Sequence, residues 1–340
     1  MIREMVVTQV KPKKIKKKVI KTTVWRAYKY RVYPNKETAK KALEVMKTYA
    51  YIWNNALRER KENYKARQKD KNIKPISAYG QYHLIRKREH PEFQDLNAQS
   101  MQCVLSELDS SYKSFFNLTK KDKTARPPKF KEMFNSITYT KSGWKIVRNN
   151  ILLIKNIGKF RIRLHRPIDG EIKTVNIKLK NKKWYVVFSI KKTLYRTVKT
   201  KNKKVKISFE DYLFLKDNYG NEIKHPQFYF TEIKKLRRLS RALSRKKEGS
   251  KNWKKAKYTL QKWHEHISNK RKHFLWHIAN EYTKKYDEIN VPKVPLKKKI
   301  MQSTNSFAAQ RLCDAAYGIF VKMLYQKSEE NECDIIEYAL

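Results

Sequence analysis

Ser208 and Pro292 lie at the ends of two short runs rich in β-branched side chains, and neither is a residue type suited to binding a catalytic metal ion. Two divalent cations held roughly 3.5–4 Å apart need several carboxylates to offset their charge and fix their geometry. A serine hydroxyl is a neutral, weak ligand, and proline supplies none. Glu210 and Asp211 follow closely, but Glu210 could replace Ser208 only if the whole strand slipped in register. We therefore interpret these two acids as solvated residues at a strand end.

The two runs, 203–209 and 287–291, are predicted strands, and the basic segment between them is a predicted helical hairpin with a break at 248–252. The first helix carries one apolar stripe, formed by Ile233, Leu236, Leu239 and Leu243. Its other faces are cationic, with Arg237, Arg238, Arg241, Arg245, Lys246 and Lys247. These cations predict contacts with a nucleic-acid backbone, and a merely solvated helix face is the alternative.

The whole chain is strongly basic, with 81 Lys and Arg against 31 Asp and Glu among 340 residues and a net charge of +50. This surplus indicates a polyanionic partner. Nucleic acid is favoured over a membrane, because the sequence has no run of about 18 apolar residues and no signal-peptide pattern. Cys103, Cys313 and Cys333 form no Cys-x-x-Cys pair, so neither a zinc site nor a disulfide framework is predicted. We expect a protein of the bacterial cytoplasm, associated with the nucleoid.

The amino-terminal half combines a basic tail, strands and helices. Residues 1–22 contain a like-charge block that is expected to stay mobile without a partner. Alternation over 24–33 predicts a first strand, and helical periodicity with proline breaks follows to about residue 120. Short alternating runs over 134–192 predict further strands, which the first strand would complete into a barrel.

One helix in this half has a clear start at Asn97, a residue type suited to capping a helix amino terminus. Its predicted buried stripe comprises Met101, Val104, Leu105, Leu108, Tyr112, Phe115 and Phe116. We interpret these aromatic residues as core rather than as stacking platforms. Gln99 and Gln102 fall outside the stripe.

The run SRALSRKKEGSKNWKKAKYTLQKWHEHISNKRKHFLWHIANEYTKKYDEI, residues 240–289, resembles the RuvC-like nuclease region of the transposon-encoded TnpB family. These proteins are RNA-guided relatives of type V CRISPR effectors. In that family two acids on the flanking strands bind catalytic metal, and Ser208 and Pro292 stand at the corresponding positions. The family also has a four-cysteine zinc module and a third acid, for which this sequence shows no counterpart. The resemblance covers roughly residues 23–340 and is nearest to the nuclease-dead TnpB-like repressors called TldR.

The resemblance implies an α+β multidomain fold. A basic flexible tail, 1–22, would precede a wedge-type β-barrel formed by 23–34 and 126–200. A helical recognition lobe, 35–125, would be inserted in the barrel. Residues 203–340 would form a truncated, degenerate RuvC-like (RNase H-like) α/β domain without the zinc module and the carboxy-terminal catalytic segment.

The resemblance also implies two sets of binding residues. Tyr79, Gln99, Gln102, Thr140 and Lys141 are expected near the short DNA motif adjacent to the target. Glutamine suits this role because its amide can bond adenine bidentately in the major groove, and a solvated surface glutamine is the alternative. The guide RNA and heteroduplex backbone are expected to contact Arg26, Lys29, Arg31, Lys129 and Lys131, together with the six cations of the basic helix.

The implied function is RNA-guided, sequence-specific DNA binding without nuclease activity. Base pairing would read the target, the protein would read the adjacent motif, and the R-loop would block a promoter. The partners would be a guide RNA and double-stranded target DNA, with a monomer favoured and neither catalytic Mg²⁺ nor structural Zn²⁺ required. The alternatives are an active nuclease with rearranged acids, through Glu210 or Asp211, and a guide-independent transposition accessory protein or a decaying relic.

Overall fold

The computed structural model describes residues 19–87, 93, 96–148, 150–197, 203–210, 213–293 and 306–339. Most of the predicted tail, 1–18, lies outside these ranges, as do Asp211 and residues 198–202. The chain divides near Thr23 and again between Thr193 and Leu194 into two compact units, and each is described by itself.

The first unit is built on a seven-stranded sheet. The strands are β1 Val19–Pro34, β2 Ser136–Tyr139, β3 Trp144–Val147, β4 Ile151–Ile154, β5 Gly158–Arg163, β6 Glu171–Lys180 and β7 Lys183–Thr197, in the order β2-β6-β7-β1-β5-β4-β3. The two edge strands, β2 and β3, follow each other in the chain, so the antiparallel sheet is nearly closed on itself. The predicted barrel that incorporates the first strand is present in this form.

The strand β1 begins five residues earlier than the predicted start at Val24, so residues 19–22 of the predicted tail belong to it. Between β6 and β7, Asn181 and Lys182 have φ of 49° and 57°. Positive φ at both central residues is characteristic of the type I′ turn, which matches the twist of a two-residue hairpin. A turn of this type therefore closes the hairpin between β6 and β7.

The helices of this unit are α1 Lys36–Lys69, α2 Ala78–Lys87 and α3 Ala98–Thr119 in the part that the structure describes; α1 and α3 pack on the sheet, and α2 packs on α3. Asn35 and Asn97 cap α1 and α3, since their side-chain oxygens accept hydrogen bonds from the Thr38 and Ser100 backbone N–H groups at 2.7 and 3.0 Å. The core between helices and sheet includes Met46, Trp53, Leu105, Leu108, Phe160 and Phe188.

The buried stripe of α3 is shorter than predicted. Met101, Val104, Leu105 and Leu108 are buried, but Phe115 is only half-buried and Phe116 is 56% exposed. The interpretation of these last aromatics as core is therefore wrong for Phe116. The helical periodicity continues to the end of α3, whereas the surface against which the helix packs does not.

A buried polar network ties the three helices together. Gln81 of α2 is fully buried, donates to the Ala56 carbonyl at 2.9 Å, and accepts from Arg60 Nε at 2.7 Å. Arg60 of α1 also pairs with Asp109 of α3 at 2.6 Å. Gln81, Arg60 and Asp109 each have a partner in this network, although Arg60 Nη2 is buried without a hydrogen bond.

The second unit contains a five-stranded mixed sheet in the order β10-β9-β8-β11-β12. Its elements are β8 Lys204–Ser208, β9 Leu213–Asp217, β10 Glu222–Lys224, α4 Phe228–Ser244, α5 Lys251–Lys285, β11 Glu288–Pro292, α6 Ser306–Ala315, α7 Tyr317–Asn331 and β12 Asp334–Tyr338. The strand β11 lies between β8 and β12 and is parallel to both. Helices α5 and α7 supply much of the core, including Leu275, Ile278, Phe320 and Leu324.

The predicted helical hairpin is formed by α4 and α5. Gly249, with φ of 80°, lies in the connection, and Ser250 caps α5 by accepting from the Trp253 N–H at 3.1 Å. Lys235 of α4 lies 3.4 Å from the centre of the Trp263 ring of α5, and that ring's Nε1 donates to Glu232. Within the described part of the chain, no helix is both long and apolar enough to cross a membrane.

Candidate nucleic-acid interface

The outward face of β1 carries cationic and aromatic side chains in alternation with the core. Val24, Tyr30 and Val32 point inward, whereas Lys29 and Arg31 are on the other side of the strand. Lys29 and Arg31 therefore share one face of β1, and their contact with guide RNA stays a prediction.

Neighbouring strands extend this face with residues that the sequence analysis did not select. Antiparallel pairing places Arg163 opposite Arg31 and Arg161 opposite Tyr33. On the other side, the Lys29 ammonium lies 3.9 Å and the Arg31 guanidinium 5.1 Å from the centre of the Tyr185 ring. We call Lys29, Arg31, Tyr33, Arg161, Arg163 and Tyr185 the barrel face. Apolar and basic residues alternate over residues 160–166, FRIRLHR, and this pattern could have identified Arg161 and Arg163 from the sequence.

Arg26 does not belong to the barrel face. It is only 8% exposed, lies on the core side of β1, and donates from Nη1 to the Trp25 carbonyl at 3.1 Å. The predicted contact between Arg26 and guide RNA is not available from this position, because strand alternation sends even-numbered residues of this segment inward. Its neighbour Trp25 is 61% exposed instead.

Lys131 is also committed to contacts within the protein. Its ammonium lies 3.6 Å from the Trp53 ring centre and 4.0 Å from that of Phe134, and it pairs with Glu107 at 2.8 Å. These contacts oppose the predicted role of Lys131 in binding the guide RNA backbone. Lys129 is exposed, and its carbonyl accepts from Trp53 Nε1 at 3.0 Å.

Three of the five residues predicted to lie near the target-adjacent motif come together. The Gln99 side-chain oxygen accepts from Thr140 Oγ1 at 2.7 Å, from the Lys141 N–H at 3.1 Å and from the Ser142 N–H at 3.2 Å. Gln99 thus fixes the 140–142 loop to the start of α3. Because its oxygen is occupied by these donors, Gln99 cannot offer adenine the acceptor half of a bidentate contact in this arrangement.

The other two predicted motif residues are exposed. Gln102 follows Gln99 by three residues on α3, so the two project from neighbouring positions of the helix surface. Tyr79 on α2 is 75% exposed, with its ring centre 4.3 Å from that of His83. In Gln102 both the oxygen and the nitrogen of the side-chain amide are therefore accessible, whereas the Gln99 oxygen is not.

In the second unit, the predicted cationic face of α4 is exposed along its length. Arg237, Arg238, Arg241 and Arg245, with Lys234, lie along one exposed surface of this helix. The following Lys246 and Lys247 are exposed as well. Only Leu236 of the predicted apolar stripe is fully buried. A surface with this charge density suits a phosphate backbone.

Three neighbouring strands end where the resemblance predicts that two metal-binding acids are missing. Ser208 ends β8, Pro292 ends β11, and Tyr338 of β12 is opposite Pro292 in the parallel register. The Ser208 hydroxyl donates to the Lys216 carbonyl at 3.3 Å, and the Tyr338 hydroxyl donates to the Ile207 carbonyl at 2.8 Å.

This donor set does not fit the two-metal chemistry that carboxylates support. The side chains at the three strand ends are a hydroxyl, a pyrrolidine ring and a phenol, and both hydroxyl protons are used for backbone carbonyls. Glu210 is exposed, and its carbonyl accepts from Tyr317 at 3.3 Å. Among the residues that the structure describes, no group of three or more His, Cys, Asp and Glu could hold a metal ion.

Two other acids of this unit are buried and were not selected as structural residues from the sequence. Asp217 accepts from Tyr219 N, Asn221 N and Tyr282 Oη at 3.0, 2.9 and 3.1 Å. Burial works to raise its pKa, but these hydrogen bonds outweigh burial and hold the pKa of Asp217 below its ordinary value. The turn sequence Asp-Asn-Tyr-Gly at 217–220 was an available signal.

Asp314 holds the start of α4. Its carboxylate accepts from the Tyr229 N–H at 2.9 Å and from Arg271 of α5. A carboxylate at a helix amino terminus interacts favourably with the helix dipole, so Asp314 joins α6, α4 and α5. No sequence signal connects these three positions.

Two family models match parts of this chain. The family model OrfB_IS605, described as "Probable transposase", matches residues 192–301, and HTH_OrfB_IS605, described as "Helix-turn-helix domain", matches residues 24–69. In the structure the latter segment is a strand followed by one long helix.

Two curated relatives are each 24% identical to this chain. "Putative RNA-guided DNA endonuclease InsQ" of Escherichia coli (strain K12) aligns over 76% of this chain and 64% of its own length. "Putative RNA-guided DNA endonuclease" of Streptomyces pristinaespiralis aligns over 89% and 75%. The chain therefore spans just under two thirds of the first of these relatives.

Among solved structures, the fold is similar to that of a chain in "Cryo-EM structure of the Cas12f1-sgRNA-target DNA complex". The TM-score is 0.53 at 13% identity, covering 93% of this chain and 89% of that chain. At this level of identity the likeness concerns the fold.

Proposed function

We propose that this chain, which matches the OrfB_IS605 family models over residues 192–301 and 24–69, is an RNA-guided, sequence-specific DNA-binding protein of the TnpB family that does not cut its target. The curated relatives are named as RNA-guided DNA endonucleases, which supports a guide RNA and a DNA target as the partners. In this proposal the protein occupies a promoter as an R-loop and represses transcription.

The observation that carries the loss of cleavage is the set of side chains at the three strand ends. Ser208 and Pro292 replace the two acids of the family pattern, and the hydroxyls of Ser208 and Tyr338 donate to backbone carbonyls. Without carboxylates there, two divalent cations would have neither charge compensation nor fixed geometry. Strand-end positions are fixed by sheet register, so a slip that moved Glu210 into place would displace the whole core face of β8.

The remaining surfaces support binding. The barrel face and the α4 face present cations that suit phosphate oxygens, while Gln102 and the 140–142 loop suit the edges of a DNA duplex. Base pairing between guide and target would supply sequence specificity, and the protein would contact backbone and adjacent motif. An uncut R-loop over a promoter would exclude RNA polymerase by occupancy.

The test loads the full chain with the RNA that copurifies with it and presents a matched duplex with Mg²⁺ or Mn²⁺. We expect a stable, guide-dependent complex and no strand cleavage, with the Escherichia coli relative as the assay control. In cells, a reporter whose promoter carries the target should be repressed, and a scrambled target should not.

Cleavage of the matched duplex that disappears in Glu210→Ala would overturn the nuclease-dead assignment and support a rearranged acid set. Binding without repression at a promoter target would overturn the regulatory part of the proposal alone.

A further inference from the structure

The far end of α3 and the segment that follows it form an exposed aromatic surface outside the barrel face. Phe116 is 56%, Leu118 55% and Phe130 54% exposed, and Phe115 is half-buried beside them. Between the helix and the segment lies an open groove of about 530 Å³. Large apolar groups concentrated in this way mark a binding surface rather than ordinary exposure.

The groove is held in shape by the protein. Asn54 of α1 exchanges two hydrogen bonds with the backbone of Lys131, at 2.8 and 2.9 Å, and Trp53 donates to the Lys129 carbonyl at 3.0 Å. Pro127 and Pro128 restrict the backbone before Phe130. The Phe130 ring is therefore presented on a fixed segment, with the Lys61 ammonium 4.6 Å from its centre.

The charge around the groove identifies the kind of occupant. Residues 113–131 contain seven cations, Lys113, Lys120, Lys121, Lys123, Arg126, Lys129 and Lys131, and one acid, Asp122. Glu107 also lines the groove and pairs with Lys131 at 2.8 Å, so the surroundings remain strongly cationic. Two copies of this chain meeting through the patch would bring like charges together, which disfavours self-association. Exposed rings among cations suit single-stranded nucleic acid, whose bases stack and whose phosphates are anionic.

The helix wall of the groove favours RNA. Ser110, Ser111 and Ser114 line it, and each donates its hydroxyl proton to a carbonyl one turn earlier, at 2.8 to 2.9 Å. The oxygens that remain are acceptors, which match the donor of a ribose 2′-OH.

We propose that this groove, lined by Phe115, Leu118 and Phe130, acts together with the exposed Phe116 ring, whose centre lies 5.2 Å from that of Phe115. The two bind unpaired nucleotides of the guide RNA by stacking their bases on Phe116 and Phe130. The inference rests on the proposed function, because it assigns a part of the RNA to a surface that the DNA-contact residues do not use.

The experiment measures binding of the full chain to labelled single-stranded RNA, to DNA of the same sequence and to a fully paired RNA of equal charge. Phe116→Leu combined with Phe130→Leu keeps apolar bulk and every cation but removes both rings. We expect affinity for single-stranded RNA to fall roughly tenfold for each ring, with the salt dependence and the affinity for paired RNA unchanged. When Phe130 is changed to Trp instead of Leu, with Phe116→Leu kept, the affinity lost at position 130 should be restored, because tryptophan also offers a ring for stacking.

Phe307→Leu is the matched control, since Phe307 is 50% exposed on α6 of the other unit. Equal losses for single-stranded and paired RNA, or no loss at all, would overturn the proposal. An equal loss of affinity for single-stranded RNA and for DNA would also overturn it. The same holds if light scattering shows that the wild-type chain is a dimer and that the double variant is a monomer with unchanged RNA affinity. If the wild-type chain binds its copurified RNA and the variant binds it equally well, only this inference fails; if the wild-type chain binds no single-stranded RNA, the proposed function fails with it.

Discussion

Gln99 and Gln102 lie three residues apart on α3, yet their side chains have different surroundings. The oxygen of Gln99 accepts from the 140–142 loop, and the two backbone N–H donors identify the atom as the amide oxygen. Gln102 is exposed. The same residue type therefore supports a positioning role at one site and a base contact at the other.

We predict that Gln102→Ala lowers the preference of the guide-loaded protein for the correct adjacent motif by about 1–3 kcal/mol, the value of a bidentate base contact. Gln99→Ala should instead weaken binding to correct and scrambled motifs alike, because it releases the loop. Competition binding with duplexes that differ only in the motif measures both effects. Gln68→Ala, an exposed glutamine on α1, is the control, and unchanged motif preference in Gln102→Ala would contradict the assignment.

Asp217 gives a prediction about pH. Its folded-state pKa is held below the ordinary value, so its charged form stabilises the fold above the unfolded pKa of about 4, and this contribution is lost as the pH falls through the folded pKa. Asp217→Asn should lower the free energy of unfolding by about 1–3 kcal/mol near pH 7 and by less near pH 3. Urea unfolding at the two pH values measures the difference, with the exposed Glu62→Gln as control. A difference that is independent of pH would refute the role of the charge.

At the scale of elements, alternation along a strand and periodicity along a helix decide which residues can reach a ligand. In β1 the inward and outward sets separate Arg26 from Lys29 and Arg31, although all three are cations in one short segment. In α4 the packing of Leu236 and of Lys235 against α5 leaves the arginines on the opposite surface. The cations that can contact a nucleic-acid backbone are therefore those that share one face of a strand or helix, not all those that are close together in the sequence.

We predict that Arg238→Ala combined with Arg241→Ala weakens binding to all targets alike and flattens the slope of log K against log salt by about 1–2, near 0.9 for each lost phosphate contact. Binding titrations at several salt concentrations give the slope. Lys40→Ala with Lys47→Ala removes the same charge from exposed positions of α1 and should leave the slope nearly unchanged. Equal slopes in all three proteins would show that the α4 face is only solvated.

At the scale of the whole molecule, a net charge of +50 ensures attraction to any nucleic acid. Attraction alone carries no sequence information, so specificity must come from base pairing or from base contacts. This separates a guided protein from a guide-independent basic factor, because only the former loses its specificity when the RNA is removed.

We predict that RNase treatment abolishes the footprint on the target promoter while general duplex binding persists. Footprinting of the purified chain before and after treatment measures this, and adding back the copurified RNA should restore the footprint. A sequence-specific footprint that survives without RNA would favour the guide-independent accessory protein.

The sequence by itself determined the periodic elements and the charge. The barrel strands, the capped start of α3 and the basic hairpin follow from local patterns, since alternation, helical spacing and capping act within a few residues. The prediction that acids are missing at Ser208 and Pro292 likewise depends on residue identity and on the family resemblance alone.

Only the tertiary structure decided which of these side chains are available. Lys131 is held by Trp53 and Glu107, Gln99 by the 140–142 loop, and Asp314 by Arg271 and the start of α4. Each of these contacts joins positions more than twenty residues apart. The end of α3 became exposed for the same reason, because a helical pattern records which residues share a face but not where the opposing surface stops.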